Sequence, residues 1–300
     1  MLGPAFTVIG LVAKTASPDD AISHLQGSDV AAVADVGYKT DRFNSAVQYS
    51  DIGARFNPEM GFVTRTDVRA TKGTAGWTPR PRWRGVRQMF FQGDIEYYEN
   101  HDGGLESRSQ QFSARLSRQD SSSVRVGVSR EYDFLSVPFT TAGAQLPIGG
   151  YSWTNYSAGF NSNQAKPVYG SVSGEAGGYY NGDRQSLRAA VNFQIGRTLL
   201  LEPNYTRNWI TLPGRPTYVT NTLNFRVSQS FSPDVFVKAF LQYNDERRTA
   251  SFNFLFWYIY KPGSDLYIVY NEGRETDLAD RWSRPRNRSL ALKMTYWLAR

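Results

Sequence analysis

Residues 187–195 read Leu-Arg-Ala-Ala-Val-Asn-Phe-Gln-Ile, so every second position carries an apolar side chain. In an extended chain Leu187 and Phe193 point to one side and Arg188 points to the other. Residues 219–231 repeat this alternation. Strands of soluble proteins usually contain about five or six residues, whereas a tilted strand that crosses a bilayer needs about 9–11. The pattern therefore predicts membrane-spanning strands with an apolar side toward lipid and a polar side toward a lumen.

Similar segments, separated by turn-forming residues, recur along the whole chain. The predicted strands are residues 30–38, 46–55, 63–71, 87–98, 109–117, 124–131, 152–160, 168–180, 187–195, 199–205, 219–231, 235–243, 251–260, 266–271 and 289–298. Residues 6–13 are a candidate for one more. Because single-chain bacterial barrels have an even number of strands, either residues 6–13 supply the missing strand or further strands precede this chain.

The predicted fold class is all-β, an antiparallel transmembrane β-barrel with about 14–16 strands in this chain. The barrel is either complete or part of a larger one. Residues 1–300 are expected to form one outer-membrane β-barrel domain, in which residues 1–27 contribute a partial strand and a loop.

The connections between the predicted strands differ in length. Residues 181–183, 232–234 and 261–264 are tight turns rich in Gly, Pro, Asn and Asp, which suit tight turns. Residues 135–150, 210–218 and 272–286 form long connections. Each long connection follows an even-numbered strand when residues 30–38 are counted as the first. Since bacterial barrels place long loops outside and short turns in the periplasm, this parity is what a barrel predicts.

Composition agrees with a barrel but does not require one. Hydrophobic residues make up 40% of the chain and the mean hydropathy is −0.48, because half of each strand of a barrel faces water. The sequence contains no run of eighteen apolar residues, which excludes helical membrane spans. Aromatic residues reach 14%, as expected for Tyr and Trp girdles at the membrane interfaces. The alternative is a Tyr-rich soluble β-protein that acts as a binding protein.

The formal charge is +7 and there is no cysteine. Basic residues are spread through the strands instead of forming one patch, so a nucleic-acid partner is not expected. They fit a basic lumen, or rims that meet anionic lipid head groups. Without cysteine, neither a disulfide nor a thiolate metal site can form.

The N-terminus does not resemble a secretory leader. Residues 1–10 contain no cationic segment and no small-residue cleavage site after an apolar stretch. Since a barrel needs such a leader to reach an outer membrane, we expect this sequence to be the mature or C-terminal part of a longer one.

Two motifs resemble a known family. Residues 51–67 read DIGARFNPEMGFVTRTD, and residues 254–271 read FLFWYIYKPGSDLYIVYN. Both are similar to segments of a large family of uncharacterised bacterial outer-membrane proteins. In that family a C-terminal barrel domain of unknown function usually follows an N-terminal domain similar to family 9 carbohydrate-binding modules. The resemblance implies that this chain is the C-terminal barrel part of such a Gram-negative protein, and it implies no catalytic residues.

Residues suited to catalysis are scarce, so we predict that the chain is not an enzyme. The histidines are His24 and His101, and His101 lies in a predicted hairpin turn next to Asp102. A catalytic triad is identified by geometry and not by inventory, and zinc sites generally want three or four converging ligands. No catalytic residue, cofactor or metal is therefore predicted.

The phase of the strands predicts a set of charged residues that line the lumen. They are Arg65, Asp67, Arg69, Asp94, Glu96, Arg115, Arg125, Glu175, Arg188, Arg226, Lys238 and Lys293. Charged rings set the ion selectivity of pores, and basic residues outnumber acidic ones in this set. It therefore predicts a weak preference for anions. The alternative is that these side chains form ion pairs that fill a narrow or plugged interior.

The expected function is a pore, transport or surface component of the bacterial outer membrane, and its specific role is unknown. The alternative is a carbohydrate-binding surface protein whose extracellular loops bind glycans. Its candidate residues are Arg274, Arg281, Trp282 and Arg284. A Trp ring could stack on a sugar, and the alternative is that Trp282 marks the membrane interface. The expected partners are outer-membrane lipid and the barrel assembly machinery, with glycans or small anionic solutes as ligands.

Overall fold

The computed structural model describes residues 5–16, 27–58, 61–276 and 285–298, and all regular structure in these ranges is β. None of these residues belongs to a helix that is long and apolar enough to span a membrane. The strands in chain order are β1 (Ala5–Lys14), β2 (Val30–Lys39), β3 (Phe43–Ile52), β4 (Val68–Trp77), β5 (Val86–Asn100), β6 (Leu105–Arg118), β7 (Ser123–Leu135), β8 (Phe139–Thr141), β9 (Ala144–Leu146), β10 (Gly149–Asn161), β11 (Val168–Tyr179), β12 (Gly182–Ile195), β13 (Leu199–Thr211), β14 (Tyr218–Ser232), β15 (Val235–Asn244), β16 (Thr249–Lys261), β17 (Ser264–Glu275) and β18 (Pro285–Met294).

One antiparallel sheet contains sixteen of these strands. Every strand pairs with its neighbours in sequence, except that β7 pairs directly with β10. The short strands β8 and β9 form a separate hairpin within the connection between β7 and β10. In the described residues β1 pairs only with β2 and β18 only with β17, so the sheet has two unpaired edges.

The predicted all-β class is confirmed and each predicted strand overlaps an observed one; residues 6–13 belong to β1, which brings the sheet to sixteen strands. One prediction was displaced along the chain: residues 63–71 were expected to form a strand, but β4 spans Val68–Trp77. Asp67 has a φ of 58°, a left-handed conformation that ends an extended segment. The alternation read through Arg65, Asp67 and Arg69 therefore does not belong to one strand. The hairpin of β8 and β9 was also not predicted.

The register brings like side chains together on each face of the sheet. Residues directly opposite each other in an antiparallel pair share a face. Leu187 of β12 lies opposite Gly174 of β11, and Phe193 lies opposite Leu201 of β13. We call this side the apolar face. Arg188 lies opposite Ser173 and Thr206 on the other side, which we call the polar face.

The sheet has no apolar core of ordinary size. Among the described residues, the buried apolar side chains are Ala31, Phe56, Val68, Ala70, Leu146 and Leu212. The chain exposes 20299 Å² of surface at a mass of 33.8 kDa, whereas a compact soluble protein of this size exposes about 13,000 Å². Large side chains of the apolar face, such as Val126 at 51% and Ile195 at 53%, are uncovered.

The two ends of the strands carry different connections. Residues 15–29, 53–67, 136–148 and 276–284 join strands at one edge, which we call the long-loop edge. Residues 40–42, 196–198, 233–234 and 262–263 join strands at the opposite, short-turn edge. The long connections predicted from sequence therefore lie at one edge, but the predicted tight turn at residues 181–183 lies at that edge too, and the eight-residue connection 78–85 lies at the short-turn edge. The extracellular position of the long connections remains a prediction.

Charged side chains on the apolar face are unevenly distributed. Apart from a few at the strand ends of the short-turn edge, these charged side chains lie in the half of the face nearer the long-loop edge. Examples are Asp51, Arg69, Arg108, Arg130, Arg207, Glu272 and Arg274. Arg207 lies 5.0 Å from the ring centre of Trp209, which covers part of its guanidinium. The other half of the face is apolar.

Gly170 and Gly174 offer a matched test of strand spacing, because both lie on the apolar face of β11. A methyl group at Gly170 would overlap the backbone oxygen of Ala190, whereas at Gly174 the nearest atom is the backbone oxygen of Ser186 at 3.6 Å. We expect Gly170→Ala to lower the free energy of unfolding by about 1–3 kcal/mol. Gly174→Ala should raise it by about 0.5–1 kcal/mol, because glycine weakens strands. Urea unfolding of the chain in detergent micelles measures both, and equal effects would contradict the close approach at Gly170.

Candidate functional site on the polar face

One row of directly opposed residues crosses the polar face. Arg115 of β6 lies opposite Arg125 of β7, and Arg125 lies opposite Gly159 of β10. Gly159 lies opposite Ser173 of β11, and Ser173 lies opposite Arg188 of β12. Five neighbouring strands thus place three arginines around two small residues. We call Arg115, Arg125 and Arg188 the arginine row.

The arginine row has no counter-charge. In the described part of the chain, Arg115, Arg125 and Arg188 take part in no ion pair. The Arg115 guanidinium lies 3.9 Å from the ring centre of Phe90, and Nε of Arg188 donates a hydrogen bond of 3.4 Å to Oγ1 of Thr206. Like charges directly opposite each other destabilise a sheet, so the pair of Arg115 and Arg125 is unfavourable unless something neutralises it.

A cleft separates Arg125 from Arg188. Its volume is about 320 Å³, and its other lining residues include Ser157, Gly159, Ser173, Glu175 and Ser186. The floor between the two arginines is therefore formed by hydroxyl groups and a residue without a side chain. Glu175, at the border of the cleft, forms an ion pair with Arg184.

Other charged residues of the polar face have partners within the sheet. Arg226 lies 3.9 Å from Glu202. Asp94 accepts hydrogen bonds from the Thr74 hydroxyl at 2.8 Å and from the Gln92 amide at 2.9 Å. The alternative prediction, that lumen charges form ion pairs, therefore fits Arg226, whereas Asp94 is bonded to neutral side chains and the arginine row forms no ion pair.

Acidic residues are more numerous on this face than the sequence analysis recognised. Glu96, Glu131 and Asp133 lie toward the long-loop edge of β5 and β7. The Tyr98 hydroxyl donates to Glu96 at 3.0 Å. The register also places Asp35, Glu202 and Asp265 on the polar face. The excess of basic side chains in the predicted lumen set therefore does not describe the whole face.

The first three residues of the predicted lumen set are the least regular. Arg65 lies before β4 and reaches the polar face, where it is 4.8 Å from the ring centre of Tyr98 and donates to the Ser107 hydroxyl at 2.9 Å. The prediction for Arg69 was wrong. It lies opposite Asp51 on the apolar face, 3.6 Å from that carboxylate, because the left-handed backbone at Asp67 breaks the phase.

The last two members of the set are placed on the polar face by the register. Lys238 lies opposite Ser228 and Leu255, and Lys293 lies opposite Tyr267. Both are several strands away from the arginine row, so the structure does not bring them into that cluster.

A histidine cluster at the long-loop edge was not predicted. Nδ1 of His101 lies 2.7 Å from Oδ1 of Asp67, and Nε2 lies 2.8 Å from Oδ1 of Asp51. The hydrogen bond to Asp51 is the main cause that raises the pKa of His101 above its usual value; burial opposes this and the hydrogen bond to Asp67 adds to it. Both ring nitrogens have a hydrogen-bond partner, so the imidazole links the β5–β6 and β3–β4 connections to the end of β3.

An aromatic cluster attaches the hairpin of β8 and β9 to the same edge. The rings of Phe139, Tyr151, Trp153 and Tyr179 have their centres 4.9–5.7 Å from that of Tyr180. Because Trp153 and Tyr179 belong to the polar face, the hairpin lies against the long-loop end of that face.

Hydrogen bonds and burial strengthen this attachment. The hydroxyls of Thr141 and Tyr179 are 2.8 Å apart, and Leu146 is 2% exposed. The Tyr180 hydroxyl donates to Asp133 at 3.1 Å. Burial, together with the charge of Asp133, raises the pKa of Tyr180 to about 12. The signal that sequence reasoning missed is the pair Ala142-Gly143, whose positive φ values of 47° and 73° suit a two-residue hairpin turn.

The predicted glycan-binding residues are mostly beyond what the structure describes. Arg281, Trp282 and Arg284 lie outside the described residues, as does His24. Arg274 forms an ion pair with Glu272 on the apolar face. Within the described ranges, no group of three His, Asp or Glu side chains could hold a metal ion.

Comparison with protein-family models and with curated proteins found no match for this chain. The family resemblance of residues 51–67 and 254–271 therefore stays a prediction.

The histidine cluster predicts a pH-dependent contribution to stability. The folded pKa of His101 is raised above its ordinary value of 6.5, so its contacts with Asp51 and Asp67 stabilise the fold fully below about pH 6.5 and are lost as the pH rises through the folded pKa. We expect His101→Gln to lower the free energy of unfolding by up to about 1 kcal/mol at low pH, and by less at high pH. Urea unfolding of both chains at one pH below 6.5 and one pH well above it measures the two differences in free energy.

The neighbouring substitution Asp102→Asn is the control and should show no such pH dependence. A larger effect of His101→Gln at high pH would contradict the assignment, and so would an equal effect at both. Arg69 also contacts Asp51, which keeps the expected effect small.

Proposed function

We propose that the sheet closes between β1 and β18 into a sixteen-stranded transmembrane β-barrel of a bacterial outer membrane. The observation that carries this proposal is the uncovered apolar face, which extends over all sixteen strands without a second layer to bury it. Exposed apolar surfaces of this extent mark a partner or a membrane. Outer-membrane lipid is the partner that suits a band of apolar side chains on every strand.

The two edge strands support closure with each other. Unpaired strand edges promote aggregation, and barrels abolish them. β1 exposes Val8 and Val12, and β18 exposes Leu290 and Leu292, each by more than half of its surface. With an even number of strands, β1 and β18 run antiparallel, as in single-chain bacterial barrels.

The aromatic side chains on the apolar face include two groups near its edges, with others such as Phe112 and Phe225 between them. Near the short-turn edge they are Tyr38, Phe43, Trp77, Phe160, Phe193 and Tyr258, and near the long-loop edge they are Tyr49, Tyr97, Tyr132, Trp209 and Tyr243. Such groups match the interfacial girdles of outer-membrane barrels. In this setting the long connections are extracellular, and the barrel assembly machinery is the partner required for insertion.

The polar face would line the lumen of this barrel. Barrels of sixteen strands leave an aqueous channel, and the hairpin of β8 and β9 narrows it at the long-loop edge. Because the arginine row places three arginines without ion pairs close together on this face, the pore should prefer anions to cations. The proposed function is thus a pore for small hydrophilic, preferentially anionic, solutes.

Closure can be tested by disulfide formation, because the natural chain has no cysteine. Ile9 belongs to the polar face of β1, and Asn287, Ser289, Ala291 and Lys293 belong to that of β18. Paired strands hold opposed Cα atoms about 4.5–5.5 Å apart, within disulfide range. We expect Ile9→Cys to cross-link with a cysteine at one of these four positions, detected as a mobility shift on a non-reducing gel.

The control pairs Ile9→Cys with Asn192→Cys of β12, which lies on the polar face far from both edges. This pair should not cross-link. If none of the four β1–β18 pairs cross-links in refolded protein, the sheet is open and the barrel proposal is wrong.

Pore function has a separate electrical test. The refolded chain, incorporated into planar bilayers, should conduct ions, and its reversal potential in a KCl gradient should have the sign of chloride preference, because the arginine row places a cluster of positive charges without ion pairs in the lumen. A reversal potential of the opposite sign would contradict the anion preference. The absence of conductance from a cross-linked, closed chain would contradict the pore.

A further inference from the structure

We propose that the arginine row and the cleft between Arg125 and Arg188 bind a phosphate group, either inorganic or part of a small phosphorylated solute. This inference rests on the proposed pore function, because it places the site within the lumen. It adds a saturable binding site and a ligand class to a general preference for anions.

The first argument is the missing counter-charge. Arg115 and Arg125 face each other directly, although the same face offers Glu202 to Arg226 and Glu175 to Arg184. A protein can pair arginines with its own carboxylates, as this one does at two places nearby. An arginine pair left without a carboxylate, with a third arginine in the same row, leaves its neutralisation to an anion from outside.

The second argument is the shape of the floor. Gly159 and Ser173 occupy the two positions of the row between Arg125 and Arg188. Since neighbouring strands are about 4.8 Å apart, the backbones of the two arginines are roughly 14 Å apart. Small residues leave the space between their side chains open, and Ser157 and Ser186 border it. A ligand there meets guanidinium groups from two sides and hydroxyl donors from below.

The third argument is the geometry of the donors. A guanidinium presents a planar fork of N–H groups that matches two oxygens of a phosphate or carboxylate. The two forks of Arg125 and Arg188, together with the hydroxyl groups of the cleft, suit a group with several oxygens and a double charge better than chloride or a single carboxylate. The carboxylate of Glu175 bounds the cleft on one side and repels an anion there, although Arg184 partly compensates its charge.

The experiment is calorimetric titration of the refolded full chain in detergent micelles with inorganic phosphate, against a chloride background. We expect saturable binding by the natural chain. The triple variant Arg115→Gln, Arg125→Gln, Arg188→Gln should raise the Kd at least about tenfold. The control Arg226→Gln removes an arginine from the same face that has an ion-pair partner, and should change the Kd less than Arg125→Gln alone does.

A second titration distinguishes the sources of the phosphate. Glucose 6-phosphate should compete with inorganic phosphate if the cleft accepts a phosphorylated solute, whereas glucose should not. Competition by both sugars to the same extent would overturn the phosphate assignment. No competition by glucose 6-phosphate would restrict the ligand to the free ion.

A stability measurement separates binding from a structural role. Because Arg115 and Arg125 repel each other, Arg115→Gln should leave the urea midpoint unchanged or raise it in the absence of phosphate. A lowered midpoint would mean that the arginine supports the fold. Phosphate should raise the midpoint of the natural chain and not that of the triple variant.

The failures of the two proposals are distinguishable. Anion-selective conductance without saturable phosphate binding overturns the phosphate site and leaves the pore intact. Phosphate binding that is lost in the triple variant, in a chain that conducts no current, overturns the pore and leaves the site.

Discussion

The structure depends on one constraint, which is that the strand register stays in phase across sixteen strands. A slip by one residue would exchange the two faces of every strand beyond it. The irregularities of the sheet lie near strand ends, as at Ser230/Ser232, Ile259/Lys261 and Gly273/Arg274. The central parts of the strands therefore keep one apolar and one polar face, although no second layer packs on either.

The alternation of side chains made the strands predictable, but it did not reveal how they align. Period-two patterning determines which side of its own strand a residue occupies, so the strands around Leu187 and Phe225 were evident. The opposition of Arg115 and Arg125, and the position of Arg188 in the same row, depend on registers between five strands. These registers are set by turns and long-range pairing, which a single sequence does not display.

Other features escaped prediction for local reasons. His101 contacts Asp51 and Asp67, which are 50 and 34 positions earlier in the chain, and no short motif signals such a contact. Arg69 was assigned to the wrong face because the strand was extended through Asp67, whose left-handed backbone interrupts it. The hairpin around Ala142-Gly143 was short enough to be read as an irregular connection.

The uneven distribution of charge on the apolar face has a consequence for the direction of membrane entry. Arg108, Arg130 and Arg207 lie toward the long-loop edge, beside the connections that contain the most polar backbone. Moving that edge through hydrocarbon would require the dehydration of many charged and peptide groups. The opposite edge carries turns such as residues 233–234 and 262–263. The half of the apolar face next to that edge is apolar. In the proposed setting the assembly machinery must carry this edge across during insertion, and the same dehydration cost then prevents its return, so the finished molecule is held in one orientation.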